Sequence, residues 1–318
     1  MSDVWAVVSL GTNSTRVLVA DFDAKRYGFF GDHAVRITLQ RSVGTRLGES
    51  LGESGKLGDE PMRRTLDVVE QYVDEVRARH ARRVFSIGTS ALRRAQNGAE
   101  FVERVNALTS SELEILSGED EARASFRGAV TSLDHGEEMR VGVVDTGGGS
   151  TEYAVGEHEH AKHIVSCEVG AVRLTEWFPG LSGRDGFVDN ATIDGAAAKA
   201  REVLAPIVEF PRADALAFVG GSATTALSVV RGHRGPFGAD ALTRESLQAA
   251  FNLLCELPYE KRKNVPGMVP QRADILPAGI LILKTVLSLL KHNEAKVSPT
   301  DLLFGYLLLQ REREHIPV

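Results

Sequence analysis

Two short segments repeat one order of residue types and constrain the fold more than any other feature of this chain. Val8–Ser14 (VSLGTNS) and Val144–Ser150 (VDTGGGS) each end an apolar run typical of a buried strand, break into glycine and small polar residues, and lead into a second strand. Ser9 aligns with Asp145, so the copies lie 136 residues apart, about one small domain. Glycine allows tight turns and leaves backbone N–H groups open to an anion. The repeat predicts two related domains, each with a phosphate-binding hairpin, and a cleft between them.

The turn residues are the candidate phosphate ligands. In the two hairpins they are Gly11, Thr12, Asn13, Ser14, Gly147, Gly148, Gly149 and Ser150. A third small-residue loop, Gly220–Thr225 (GGSATT), follows a strand predicted at Leu216–Val219 and opens a helix. Because backbone amides at a helix N-terminus suit an anion, Gly221 and Ser222 are further candidates.

Composition limits the partners more than it identifies them. The 318 residues carry a formal net charge of −6, which argues against a nucleic-acid-binding protein. Cys167 and Cys255 are the only cysteines and form no C-x-x-C motif, so we expect two buried thiols and no disulfide or zinc framework. Ile275–Leu290 is the most apolar stretch, but Pro277 and Lys284 interrupt it, which favours a buried helix over a membrane span. No targeting segment is visible, and the cytoplasm is the expected location.

Strand and helix patterns alternate along the chain and predict an α/β protein. The Gly-rich stretch 41–58 is predicted to be a mobile loop. A helix capped by Asp59 follows, with apolar residues at helical spacing: Met62, Leu66, Val69, Val73 and Val76. Further helices are predicted at Ala99–Leu108 and from about Asp120 to Ser132. We place the first domain at residues 1–123 and the second, with its helical C-terminal end, at residues 124–318.

Seven motifs in order give the chain a specific resemblance: SLGTNSTR, GTSALRRAQN, SGEDEARASFRGA, DTGGGSTE, GAVRLTE, GGSATT and QRADILPAG. Together they resemble the exopolyphosphatase/guanosine pentaphosphate phosphatase (Ppx/GppA) family, in its short two-domain form, from about Val4 to Gly305. The resemblance implies two ribonuclease H-like domains of the actin-like ATPase superfamily. It also implies hydrolysis of terminal phosphate from inorganic polyphosphate or guanosine pentaphosphate. The expected partners are these substrates, without nucleic acid or membrane, and a homodimer is left open.

The family resemblance assigns roles to individual residues. Glu121 of SGEDEAR matches the general base that takes a proton from the attacking water, whereas Glu119 and Asp120 are expected only to stabilise the helix N-terminus. Asp145 and Glu152 match a metal site for Mg²⁺, with Mn²⁺ as an alternative; turn capping is the competing role of Asp145. Arg93 matches a residue that binds phosphate by two parallel hydrogen bonds.

Other arginines are left with two interpretations. Arg94 is expected to be a solvated surface residue. Arg173 and Arg272 either face the predicted cleft or form structural ion pairs, and the sequence does not separate these roles.

Ser9 departs from the family pattern, which has aspartate at this position. Loss of that carboxylate is expected to weaken Mg²⁺ binding, and Ser9→Asp to raise activity at low Mg²⁺. Three functions therefore stay open: a phosphohydrolase, a weakly active or non-catalytic sensor that binds polyphosphate or a nucleotide, and an ATP-dependent kinase. The kinase gives the SGEDEAR motif no role.

Overall fold

The computed structural model describes residues 3–22, 35–133, 139–235 and 240–314. Within these residues the chain forms two compact units. Unit 1 runs up to Leu133 and resumes at Thr300, whereas unit 2 comprises the residues between, up to Pro299. Each unit contains one mixed sheet with helices, which confirms the α/β class.

Unit 1 is built on a five-stranded sheet in the order β3-β2-β1-β4-β5. Its elements up to Leu133 are β1 (Val4–Leu10), β2 (Thr15–Asp21), β3 (Arg36–Val43), α1 (Leu51–Ser54), α2 (Asp59–Arg77), β4 (Arg83–Gly88), α3 (Ser90–Arg94), α4 (Gly98–Thr109), β5 (Leu113–Ile115) and α5 (Gly118–Thr131).

Unit 2 is built on a six-stranded sheet in the order β8-β7-β6-β9-β11-β10. Its elements are β6 (Arg140–Thr146), β7 (Thr151–Glu157), β8 (His160–Cys167), α6 (Ala171–Trp177), α7 (Asn190–Leu204), β9 (Ala215–Val219), α8 (Gly220–Arg231), β10 (Ala241–Thr243), α9 (Arg244–Cys255), α10 (Tyr259–Arg262), α11 (Leu276–Leu289) and β11 (Glu294–Val297). Short 3₁₀ helices lie at Pro179–Ser182, Ala205–Glu209 and Pro270–Arg272.

The two sheets repeat one topology. In each, three antiparallel strands are followed by a strand that pairs in parallel with the first, β4 with β1 and β9 with β6. A further parallel strand follows on the same side, β5 in unit 1 and β11 in unit 2. This strand order agrees with the two ribonuclease H-like domains that the sequence predicted.

The hydrophobic pattern accounts for the core of unit 1. All seven residues of β1 are buried, as expected for a central strand covered on both faces. Helix α2 buries Met62, Val69, Val73 and Val76 and packs Leu66 against the same cluster, which confirms the predicted helical spacing.

The Gly-rich stretch 41–58 is more ordered than the predicted loop. Strand β3 extends to Val43, and α1 forms within the stretch. The difference arises because Leu47, Leu51 and Leu57 bury their side chains in the unit 1 core, which the surrounding glycines obscured in the sequence.

The last helix, α12 (Leu302–Arg313), belongs to unit 1, which differs from the predicted division at residues 123 and 124. That boundary falls inside α5. The hydroxyl of Thr300 donates a hydrogen bond of 2.7 Å to the backbone oxygen of Gly128 in α5, and α12 buries Leu303 and Phe304 in the cluster that contains Trp5 of β1. Because this apolar face is buried there, the C-terminal helix packs as part of the first domain.

Helix α11 is the buried helix predicted from the apolar stretch near residue 280. None of the helices in the described ranges combines the length and the apolar character that a membrane crossing requires.

Candidate active site

The two predicted phosphate turns have the same backbone geometry. The N–H of Gly11 donates to the carbonyl of Ser14 at 3.0 Å, and the N–H of Gly147 donates to the carbonyl of Ser150 at 3.0 Å. Each turn closes an antiparallel hairpin, β1–β2 in unit 1 and β6–β7 in unit 2, and the strand pairings keep the same offset of 136 residues. The structure therefore confirms the duplicated hairpin that the sequence predicted.

In each turn, two backbone carbonyl groups accept hydrogen bonds from the N–H groups of one neighbouring segment. In the first turn, the N–H of Gly48 donates to the Thr12 carbonyl at 2.8 Å and the N–H of Arg46 to the Asn13 carbonyl at 2.9 Å. In the second, the N–H of Ala171 donates to the Gly147 carbonyl and that of Val172 to the Gly148 carbonyl, each at 2.9 Å.

This engagement turns the N–H groups of Asn13, Gly148 and Gly149 the other way. Each shares a peptide with an engaged carbonyl group, and C=O and N–H point in opposite directions across a trans peptide. Among the described residues, the backbone N–H groups of Thr12, Asn13, Gly148 and Gly149 have no hydrogen-bond acceptor. Successive unpaired N–H groups in a turn form a concave site for an anion. Both turns therefore have the geometry expected of phosphate loops.

The two predicted metal ligands lie opposite each other. Asp145 at the end of β6 pairs with Glu152 on β7, so their side chains share one face of the sheet, with Cβ atoms roughly 5 Å apart. Glu152 is buried, and the hydroxyl of Ser166 donates to its Oε1 at 2.7 Å. These hard oxygen donors suit Mg²⁺, which uses one or two carboxylates and keeps waters or phosphate oxygens for the rest. Within the described ranges no cluster of three or more His, Cys, Asp or Glu side chains is arranged around a metal site.

The third loop lies beside this pair. Gly220 has φ of 84°, and a side chain there would overlap the Asp145 carboxylate, so Asp145 lies against the N-terminus of α8. A Cβ at position 221 would overlap the guanidinium of Arg272. The structure thus brings Asp145, Gly221 and Arg272 together. Ser222 is fully buried against α11, which gives its hydroxyl a packing contact.

The predicted base and the predicted phosphate-binding arginine meet in unit 1. Glu121 is buried in the first turn of α5, whose N-cap Ser117 accepts a hydrogen bond of 3.0 Å from the N–H of Asp120. The guanidinium of Arg93 donates through Nη1 to the Glu121 carboxylate, and to the backbone oxygen of Leu116 at 2.7 Å. Its buried Nη2 has no acceptor in the part of the chain that the structure describes.

The remaining acids of this turn fit the expected structural role. Asp120 accepts a hydrogen bond of 2.6 Å from the Ser117 hydroxyl, and Glu119 is exposed. The sequence had left Arg173 undecided, and the structure pairs it with Glu168, Nη1 to Oε2, at 2.6 Å. No local sequence signal marked the Arg16–Asp301 ion pair of 2.5 Å, because 285 residues separate its members.

A family model described as the Ppx/GppA phosphatase family matches residues 30–312. The chain belongs to this family. Exopolyphosphatase 2 of Mycobacterium tuberculosis is 31% identical over 322 residues, which cover 95% of this chain and 97% of that protein. A guanosine-5'-triphosphate,3'-diphosphate pyrophosphatase of Aliivibrio fischeri is 28% identical over 91% of this chain and 56% of that protein. The chain thus spans about half the length of some curated relatives.

A solved structure of a Ppx/GppA enzyme from Aquifex aeolicus has the same fold. It superimposes with a TM-score of 0.78 at 27% identity, covering 97% of this chain and all of that one. Membership of the Ppx/GppA family and the ribonuclease H-like architecture, both expected from the motifs, are confirmed.

The cysteines of this Ppx/GppA chain are both buried and free, as expected. Burial, with the nearby charges of Glu152 and Glu168, raises the pKa of the Cys167 thiol to about 12. Burial raises the pKa of Cys255 to about 11. Neither thiol is a nucleophile near neutral pH.

Proposed function

We propose that this chain hydrolyses the terminal phosphoanhydride bond of inorganic polyphosphate, guanosine pentaphosphate or both, in a Mg²⁺-dependent reaction. Family membership and the names of its relatives support a phosphatase. The observation that carries the proposal is the pair of glycine turns with unpaired N–H groups, the second flanked by the opposed Asp145 and Glu152. Hydrolysis of a phosphoanhydride needs mainly charge neutralisation and positioning, which these groups supply.

In unit 1, Glu121 acts as the general base. Its carboxylate is buried, so few waters compete for it, and it takes the proton of the attacking water. Arg93 orients this carboxylate through Nη1 and has an unpaired Nη2 for a phosphate oxygen. Thr12 and Asn13 add backbone N–H donors to the same anion.

In unit 2, Asp145 and Glu152 would hold the Mg²⁺ or Mn²⁺ ion, which when bound neutralises charge on the phosphate oxygens. Ser166 fixes the Glu152 carboxylate through its hydrogen bond. The N–H groups of Gly148 and Gly149 bind phosphate oxygens, and Arg272, packed against Gly221, adds positive charge.

The proposal is tested by phosphate release from polyphosphate, guanosine pentaphosphate and ATP, assayed side by side with a Mg²⁺ titration. Glu121→Gln should lower turnover roughly 10²- to 10⁴-fold and leave substrate binding intact, since the amide keeps the shape but accepts no proton. Glu119→Gln is the matched control, because Glu119 lies in the same helical turn but is exposed. Equal activity of the Glu121→Gln protein and the parent chain would remove Glu121 from the mechanism.

A sensor that binds the same substrates without turnover is the second candidate, and Ser9 favours it because the first hairpin lacks the carboxylate usual in the family. Substrate binding without phosphate release would support the sensor. Transfer of the ATP γ-phosphate to an acceptor would support the kinase.

A further inference from the structure

Helix α6 begins against the second glycine turn and engages its carbonyl groups. Besides the bonds from Ala171 and Val172, the N–H of Arg173 donates to the Gly148 carbonyl at 3.1 Å. The contact is close, because a Cβ at position 170 would lie 2.5 Å from the carbonyl carbon and oxygen of Gly148. The start of α6 therefore determines which way the peptide N–H groups of the turn point.

This helix is too short to hold that position by itself. It has 7 residues, and isolated helices shorter than about 12 residues are marginal in water. Its entry segment is anchored at one side by the Thr151 hydroxyl, which donates to the Val169 carbonyl at 2.6 Å. The other anchor is the side chain of Arg173.

Arg173 closes the segment that enters α6. Its Nη1 donates to the backbone oxygen of Glu168 at 2.5 Å and to the Glu168 carboxylate at 2.6 Å. The guanidinium is buried, whereas the Glu168 side chain is 55% exposed. The six residues from Glu168 to Arg173 thus form a closed turn, and its last three N–H groups engage the glycine turn.

A purely stabilising role accounts poorly for this arrangement. Within the described residues, the buried Nε and Nη2 of Arg173 have no acceptor. An ion pair with a half-exposed partner adds little net stability, and unpaired buried donors reduce it further. A fixed geometry is what such a pair supplies.

We propose that Arg173 is a positioning residue, which through Glu168 fixes the start of α6 and so holds the N–H groups of Gly148 and Gly149 toward a substrate phosphate. The inference rests on the proposed function, since it concerns the phosphate that the second turn would bind. Arg173 acts through the backbone of the turn and not by contact with the phosphate.

The test measures tripolyphosphate binding by calorimetry in a Glu121→Gln background, which prevents turnover, with Tm as a parallel readout. Arg173→Gln should raise Kd roughly 10- to 100-fold, the loss expected for one or two charge-assisted hydrogen bonds. Arg173→Lys should stay within about 3-fold of the parent, because an ammonium can still donate to both Glu168 oxygens. Arg140→Gln is the matched control: Arg140 pairs with Glu157 at the opposite end of the β6–β7 hairpin, and its loss should leave Kd unchanged.

Three results would overturn the positioning role. One is a Kd for Arg173→Gln within 2-fold of the parent. Another is a rise equal to that of Arg140→Gln. The third is an Arg173→Lys protein that regains the parent's Tm but binds as weakly as Arg173→Gln, since this would indicate direct contact by the guanidinium. If Arg173→Gln does not fold, Glu168→Gln decides: a Kd at least about 3-fold higher supports the proposal and an unchanged Kd overturns it.

Phosphate release by the chain with Glu121 intact is measured separately. Absence of phosphate release would contradict the proposed hydrolase function, whereas the ratios of Kd values would still decide the role of Arg173.

Discussion

The two hairpins share one backbone geometry, but the side chains beside their turns carry opposite charges. At the end of the unit 2 hairpin, Asp145, Glu152 and Ser166 lie side by side across three strands. The corresponding row in unit 1 is Ser9, Arg16 and Ser42.

From the difference in charge we expect the two hairpins to attract different partners. Two carboxylates attract a cation, whereas a serine opposite a guanidinium does not. Arg16 in turn pairs with Asp301, the N-cap of α12, at 2.5 Å. A duplicated fold can thus keep one turn geometry in both copies while only one copy keeps two opposed carboxylates.

The largest expected effect follows from removing one of the two carboxylates in the unit 2 row. Asp145→Asn should raise the Mg²⁺ concentration needed for half-maximal activity by roughly 10- to 100-fold, because the ligand keeps its shape but loses its charge. The measurement is a Mg²⁺ titration of phosphate release. Glu157→Gln, at the far end of β7, is the control and should leave the titration unchanged. A lower maximal rate with an unchanged titration would favour turn capping by Asp145.

The next effect comes from the Arg16–Asp301 ion pair of unit 1. Asp301→Asn should lower the free energy of unfolding by about 1 to 3 kcal/mol, because asparagine still caps α12 but removes the negative charge opposite Arg16. Denaturant unfolding measures this loss. Glu314→Gln removes the exposed partner of Arg83 and should cost less than about 0.5 kcal/mol. Equal losses would show that the Arg16 pair is no stronger than a surface pair.

Making the unit 1 row resemble that of unit 2 should have a smaller effect. The sequence alone predicted that Ser9→Asp raises activity at low Mg²⁺, but the structure places Arg16 directly opposite Ser9. We now expect the new carboxylate to pair with this guanidinium, so that the Mg²⁺ titration shifts by less than about 2-fold. Ser9→Asp with Arg16→Gln removes the competing cation, and only this double variant should shift the titration toward lower Mg²⁺. A full shift with Ser9→Asp alone would restore the earlier expectation.

The smallest expected effect uses the cysteines as reporters of unit 2, where both lie. With a pKa of about 12, about one Cys167 thiol in ten thousand is ionised at pH 8. In the time that free cysteine needs to react with an alkylating reagent, Cys167 of the native chain should therefore remain almost unlabelled. Asp301→Asn should not change this rate, because it weakens unit 1. Faster labelling in that variant would show that the two units unfold together.

Features that are local in the chain could be predicted from the sequence. The turn chemistry of the two glycine segments predicted both hairpins, the helical spacing of apolar residues predicted α2, and the apolar stretch 275–290 predicted α11. Because a hairpin register is symmetric about its turn, the positions of Asp145 and Glu152 around Gly147–Ser150 also implied that the two carboxylates are neighbours.

The sequence by itself thus determined the repeat, the fold class and the resemblance that led to the family. Only the tertiary structure decided that α12 returns to unit 1, that Arg93 meets Glu121 and that Arg16 meets Asp301. The physical reason is distance along the chain: turns and periodicity depend on neighbouring residues, whereas these pairs form only where the packing of distant segments brings their charges together.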